Sequence, residues 1–364
     1  MAKKRKTLKA KLTLLSALPV LATGFVLAVV FIAMTYSKYL GLYGDEGAAL
    51  ASAYASSVAS TIDSLSQQVE AITQNPDVID ETLPIEERKA MLVDAAKTSE
   101  FKDFAIAYAS GKTYNNTDIS DREYFKQAML TRGAYVSSPV LRKTDNSVTI
   151  MMGKYFSANG SSYVVYGGLA ADTFSGLIQN VSFGEDGIAF ILDRDGVVVG
   201  TSTGDIPQLA SLVGADALEA SMASAVEGIL RDSSGITEFE HGGERYIAGY
   251  TTLNSPEEWR VVVAAPKAPV VRSVFLSALY AVLITLAAAA AAVMISMSII
   301  GRIAESIAVT SRRISDMAKG DLSTPARIFH TNDEIETMSE ATDELIHDIS
   351  VCIRDIGTVL SAIA

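Results

Sequence analysis

The sequence predicts a membrane α+β protein in which two transmembrane helices flank an extracytoplasmic domain that begins with a long helix, and a helical coiled coil follows. Two uncharged apolar runs and a change of period between them carry that reading. The runs are "LTLLSALPVLATGFVLAVVFIAMTY" at 12–36 and "SVFLSALYAVLITLAAAAAAVMISMSII" at 273–300. Each exceeds the roughly 20 residues that a helix needs to cross hydrocarbon. The first is longer than the about 7 to 15 apolar residues of a secretory signal core, and no clean small-x-small site follows it, so it reads as an uncleaved anchor.

Charge sets the orientation. Lys3, Lys4, Arg5, Lys6, Lys9 and Lys11 form a basic tail at 1–11, and Arg302, Arg312, Arg313 and Lys319 follow the second run. Basic flanks stay in the cytoplasm. Both termini are therefore expected there, in a multi-pass protein of the inner or plasma membrane of a bacterial-type cell. Residues 37–272 then form the extracytoplasmic domain, with 31 Asp plus Glu against 18 Lys plus Arg in a chain of net charge -12. Such an acidic domain argues against nucleic acid and against docking on anionic lipid. The only cysteine, Cys352, falls on the cytoplasmic side, so the outer domain is expected to be stable without disulfides. Asn115, Asn159 and Asn180 open N-x-S/T triplets that read as loop composition rather than glycosylation sites.

Behind the first span, "LYGDEGAALASAYASSVASTIDSLSQQVEAITQ" has no proline and repeats apolar residues at helical spacing, which predicts one long helix ending near Asn75 and Pro76. A shorter amphipathic helix, "IEERKAMLVDAAKTS", follows Pro84. The pattern then changes to short apolar or alternating runs, "FAIAYAS", "AYVSSPVL", "SVTIMMGKYF" and "SYVVYGGLAAD", which read as antiparallel strands. A second set opens with "GIAFILDRDGVVVGTS", a hairpin turning at 193–196, and closes with "ERYIAGYTTL" and "EEWRVVVAAP". The segments "FSGLIQNV" and "ADALEASMASAVEG" are helical in period. Each strand set has its own helix, which predicts two mixed modules in series, a membrane-distal one at about 77–183 and a proximal one at about 184–268.

The order of "DISDREYFKQAM", "YVSSPV", "GGLAADTFSGLI", "LDRDGVVVGTS" and "YIAGYTTL" with "EEWRVVVAAP" resembles a double Cache sensory ectodomain over roughly 37–271. The resemblance implies two stacked PAS-like modules with a small-molecule ligand in the distal one. Carried over position by position, it implies a ligand site of Arg122, Tyr124, Tyr135, Ser137, Ser138 and Asp172. A guanidinium can grip a carboxylate bidentately, an aspartate can take an ammonium, and a tyrosine can wall an apolar part. An amino acid suits such a set. Tyr124 and Phe125 stand where the amino-acid-binding pattern has Trp and Tyr, and Ser138 stands where it prefers an acid, so a carboxylate without an amine suits it equally, as do other small polar metabolites. Taken by themselves, the same residues read as a paired surface arginine, core aromatics and, for Asp172, a helix cap. In the proximal module Asp193 and Asp195 read as hairpin residues and Trp259 as a core anchor, which leaves that module a transmission role.

Behind the second span, Ile300, Ile303, Ile307, Thr310, Ile314 and Met317 fall at heptad spacing, and so do Ile335, Met338, Thr342, Leu345, Ile349, Cys352, Ile356, Val359 and Ile363. Such narrow stripes predict a parallel homodimer that packs four helices. Helix, Gly-x-Leu, connector and an acidic pair opening a second helix resemble a HAMP relay at 301–353, matched by Gly320, Leu322, Ile328, Asp333 and Glu334. Ser306 and Glu336 depart from that pattern, where proline and glycine are usual. Cys352 reads as an apolar filler and His347 as an exposed surface residue.

No phosphate loop, HExxH or nucleophile beside a base occurs, so no enzyme and no cofactor are expected. The layout resembles methyl-accepting chemotaxis receptors without their signalling hairpin, and residues 354–364 read as the start of a continuing helix. In that resemblance a cytoplasmic kinase and adaptor are partners only if an output domain follows. The sensor half of a histidine kinase or diguanylate cyclase, or a passive membrane-tethered binding protein, fits the same layout.

Overall fold

A computed structural model describes residues 8–142, 147–214 and 217–363. One compact unit spans Thr35–Val274, and a second gathers the apolar helical segments with the C-terminal helices. The expected basic tail lies outside the described residues over 1–7, as do 215–216 at the start of one expected helix.

Helix α1 runs Leu8–Thr73. Within the first unit its buried residues are Gly44, Gly47, Ala51, Ala55, Val58, Ile62, Leu65, Val69 and Ile72, an alternation of three and four that lays one stripe along the helix. Ala51 and Ala55 keep the contact close. Nearer still, a Cβ on Gly249 would stand 2.0 Å from the backbone nitrogen of Ala48, so helix and strand touch through bare backbone. After a short 3-10 turn at Pro76–Val78 comes α2, Ile85–Lys97.

The distal module contains β1 (Asp103–Tyr108), α3 (Glu123–Thr131), β2 (Ala134–Val136), β3 (Val140–Leu141), β4 (Val148–Ala158), β5 (Ser161–Leu169) and α4 (Thr173–Ile178). Its sheet has the order β1-β5-β4-β2, with β3 also on β4, and every pair is antiparallel. The proximal module contains β6 (Ile188–Leu192), β7 (Val198–Thr201), α5 (Ala220–Arg231), β8 (Ser234–His241), β9 (Glu244–Thr252) and β10 (Arg260–Pro266). Its antiparallel sheet has the order β7-β6-β10-β9-β8.

Strand alternation divides the core between the two faces of each sheet. On β10, Val261, Val263 and Ala265 join the cluster under α1, whereas Val262 and Ala264 join the cluster under α5. On β4, Ile150 and Met152 join the α1 cluster and Met151 faces α3. The α1 cluster runs through both modules and includes Trp259, 1% exposed and edge-on to Phe174 at 4.9 Å.

Three elements differ from the sequence expectation. The run "AYVSSPVL" breaks into β2 and β3, because Ser137 Oγ takes the N–H of Met151 and donates to its neighbour's carbonyl. Helix α5 starts at Ala220, five residues later than its pattern suggested. Strand β8 was not expected, since "SGITEFEH" buries Phe239 alone and carries two glutamates. It is an edge strand that follows its partner β9 in register, and charge on an edge blunts further pairing.

In the second unit, α6 (Ala268–Ala318) and α7 (Glu334–Ile363) are joined by a connector at 319–333. The segments of α1 and α6 in this unit are apolar and face outward, with Phe25 and Ile284 each 70% exposed. They meet where Gly24 admits Thr285. Both helices are long and apolar enough to cross a membrane. The connector is tied back by Arg313, which donates to the carbonyls of Asp321 and Thr324, and by the N–H groups of Ala326 and Phe329, which donate to Asp343 and Ser339. Gly320 has φ of 99°, where other residues are strained. Asp333 caps α7 by accepting the N–H of Ile335, while Glu336 reaches back to the N–H of Asn332, so this departure from the HAMP pattern acts as a helix cap. In the single chain Ile328 is 39% exposed, and Cys352 is exposed rather than filling a core. His347 is exposed as well.

Candidate ligand site

On the α3 face of the distal sheet a cavity of about 300 Å³ opens between β1, β3, β4, β5 and the loop from Gly111 to Arg122. That volume lies at the lower end of the roughly 300–1,000 Å³ of small-molecule sites. Its base is made by Met151 and Tyr166, which the strand period turns to this face. Tyr124, from the first turn of α3, stands with its ring 5.4 Å from that of Tyr166. Thr113, Tyr114, Thr117 and Ile119 of the loop supply the remaining wall.

Arg122 also lines the cavity. It occupies the N-cap of α3 in an extended conformation (φ -76°, ψ 137°), and its side chain makes no cap bond. A guanidinium has no acceptor atom for the free N–H groups of a first turn, and a cation is unfavourable at the positive end of a helix. Arg122 is therefore not placed there to stabilise α3, and among the described residues its side chain has no hydrogen-bond or ion-pair partner. The other charged groups on the wall are already matched. Arg142 donates to Asp103 in a very short ion pair, and the other oxygen of Asp103 accepts the N–H of Gly168 at 3.3 Å.

Burial is the main cause of the perturbed phenols here. It pushes Tyr124 up to about 12, with Arg122 pulling the other way, and it raises Tyr166 and Tyr114 as well. All three are neutral at physiological pH, able to wall a ligand with their rings and to exchange hydrogen bonds through their hydroxyls. Among the described residues no cluster of His, Cys, Asp and Glu could hold a metal ion.

Of the six residues implied by the resemblance, the structure brings Arg122 and Tyr124 to this cavity. The Tyr135 hydroxyl turns away to Glu123 at 3.0 Å. Ser137 is buried in the break between β2 and β3, and Ser138 donates to Asp193 at 2.5 Å. Asp172 is exposed at the N-cap of α4 without a side-chain cap bond. The sequence reading missed Asp103, Arg142, Thr149, Met151 and Tyr166. They lie on three separate strands and the end of a fourth, and only the pairing of β1, β4 and β5 assembles them.

A two-module antiparallel α+β unit on one long helix, with a small polar and aromatic cavity in one module, defines a sensor domain of the Cache type. The chain belongs to the Cache domain family, which it matches over residues 43–274. Its fold is similar to that of the sensory domain of the Campylobacter jejuni chemoreceptor Tlp3. For the structure of that domain without a stated ligand the TM-score is 0.51 at 12% identity, covering 64% of this chain and 97% of the other. With isoleucine bound the TM-score is 0.50 at 12% identity, covering 64% and 96%. The L-valine complex gives the same TM-score, identity and coverage. No curated protein matches the chain in sequence.

Proposed function

We propose that this chain is a transmembrane chemoreceptor that binds a small extracellular solute, of amino-acid or carboxylate type, in the distal cavity. The observation that carries this reading is Arg122, a guanidinium without a described partner on the wall of an aromatic cavity, at a helix end where it serves no capping purpose. A carboxylate there would gain a charge-assisted, bidentate partner. The Tlp3 sensory domain, similar in fold, holds isoleucine in one of its structures, which makes branched amino acids the natural first probes. Asp172, the residue expected to take an ammonium, stands away from the cavity. Asp103 is already engaged by Arg142. A carboxylate without an amine is therefore an equal candidate.

The signal leaves through α6 into a HAMP-type relay formed by two copies of the chain. The apolar side chains of Ile303, Ile307 and Ile314 on α6 and of Leu345, Ile356 and Val359 on α7 are each more than a third exposed in the single chain, and a second copy would cover them. Gly320, Leu322, Ile328, Asp333 and Glu334 are its relay residues. Both termini lie in the cytoplasm, and the output is chemotaxis.

The test is thermal unfolding of the full chain in lipid nanodiscs with a panel of L-amino acids and their deaminated carboxylates. A binder present at 100 times its Kd adds about 2.7 kcal/mol. One member of the panel should raise the melting temperature, and Arg122→Ala should abolish the rise. A rise that persists in the variant, or none across the panel, overturns the reading.

A further inference from the structure

The segment 134–138 is held from two sides. Towards the cavity, the N–H of Met151 donates to Ser137 Oγ at 3.1 Å, and the N–H of Ser137 returns a bond to the Met151 carbonyl at 2.8 Å. The side chain of Met151 lines the cavity. Towards the proximal module, the N–H of Val136 donates to Glu257 Oε1 at 3.0 Å, across 121 positions of sequence. Ser138 Oγ donates to Asp193 Oδ2 at 2.5 Å. Glu123 Oε1 accepts both the Tyr135 hydroxyl at 3.0 Å and Arg194 at 2.6 Å.

These contacts are costly to build. Glu257 is 3% exposed and Asp193 is 4% exposed, and Glu257 Oε2 is buried with no hydrogen-bond partner among the described residues. Leaving such an oxygen unpaired forfeits its hydration with nothing in return. A loop that merely joins β9 to β10 has no need of it, since the N–H of Leu253 already closes that loop on the Trp259 carbonyl at 2.7 Å. Asp193, for its part, also organises its own hairpin by accepting the N–H groups of Asp195 and Val197.

We propose that Glu257 and the Asp193–Arg194 turn form an inter-module latch on segment 134–138, through which a displacement of the cavity wall at Met151 reaches the proximal module. Glu257 is a positioning residue in this scheme and touches no ligand. The loop it belongs to leads into β10, and β10 is followed within two residues by α6, so a shift at the latch has a direct covalent route to the apolar helix. The physiological use of the latch rests on the solute reading above, whereas its existence does not.

Hydrogen exchange on the full chain in nanodiscs tests it without any ligand. Glu257→Ala removes the acceptor of the Val136 N–H and should speed exchange about tenfold at 134–138 and at 150–153, while α5 and β8 keep their rates. Glu257→Gln retains an acceptor oxygen and should exchange like the parent. Ser138→Ala should speed 134–138 by a smaller factor, and it decides the matter in the same two windows if Glu257→Ala does not fold. Acceleration confined to 253–259 overturns the latch. The sole tryptophan, Trp259, reads the far side. Met151→Ala should change its emission, and combining it with Ser138→Ala and Glu257→Gln should leave less than half of that change for the Ser138 variant and nearly all of it for the Gln variant. An emission indifferent to Met151→Ala also overturns the relay. A latch that passes these tests in a protein that no panel solute stabilises would leave the inference standing and remove the solute reading alone.

Discussion

The distal and proximal modules place a helix on the same kind of sheet face, yet one face is hollow and the other is filled. In the proximal module β6 is flanked by a full strand, β7, and the twelve-residue α5 buries Met222, Ala223, Ala225, Val226 and Ile229 against the sheet. In the distal module the equivalent edge of β1 carries no such strand among the described residues. The chain from Gly111 to Arg122 meets β1 through the isolated bridge Ala107↔Thr113 and through the Tyr108 N–H, which donates to the Lys112 carbonyl at 2.9 Å, and it folds back on itself through the bridge Lys112↔Asp118, while the nine-residue α3 buries Tyr124, Phe125 and Ala128. A strand replaced by a loop, over a shorter helix, leaves space that aromatic and charged side chains border without filling. A binding site can thus arise from an element left out, and the same omission supplies the loop residues that wall it.

The two modules share one core and should unfold as one energetic body. Trp259→Ala empties the cluster shared by α1 and both sheets, and the expected loss is about 3–5 kcal/mol. A single cooperative transition of the full chain should move as a whole in differential scanning calorimetry. A split into two transitions, with only one displaced, would make the modules independent.

Large-to-small substitutions on the two helix faces should differ in cost. Ile229→Ala, at a fully buried position under α5, should cost about 2–5 kcal/mol. Met151→Ala enlarges a space that already exists and should cost well under the upper end of that range, by denaturant titration. Similar losses at the two sites would mean that the distal cavity is packed as tightly as the proximal core.

The smallest effect concerns pH. Tyr124 has its folded pKa raised from 10.0 to about 12, so its contribution is complete below pH 10 and is lost as pH rises through 12. The loss is on the order of 2 kcal/mol. Tyr124→Phe should flatten stability across that window relative to the parent, and absorbance at alkaline pH should show one fewer late-titrating phenol. An unchanged slope would place Tyr124 in water rather than against Tyr166.

Much of the architecture was legible because it rests on period and composition. The two uncharged runs, the helical stripe from Ala51 to Ile72, the hairpin at 193–196 and the paired strand sets all announce themselves locally, since burial on one face fixes residue spacing. Strand β8 was not legible, for the opposite reason, because an edge strand with one buried residue leaves no apolar pattern. Arg122 and Tyr124 stand on one short segment whose likeness to the Cache pattern implies them, and both line the cavity. Tyr135, Ser137 and Ser138, which the resemblance implies as ligand contacts, stand on the seam between modules.

The succession of apolar helix, long amphipathic helix, two mixed modules, apolar helix and heptad helices follows from local pattern alone. Each of these depends on neighbours within a turn or a strand. Which side chains meet depends on the fold as a whole. The pairing of β1 with β5 and β4 brings Asp103, Tyr166 and Met151 to one cavity, and the packing of the two modules carries Glu257 to Val136. Antiparallel register and a buried hydrogen bond across 121 residues are set by the whole fold at once, and no local pattern encodes them.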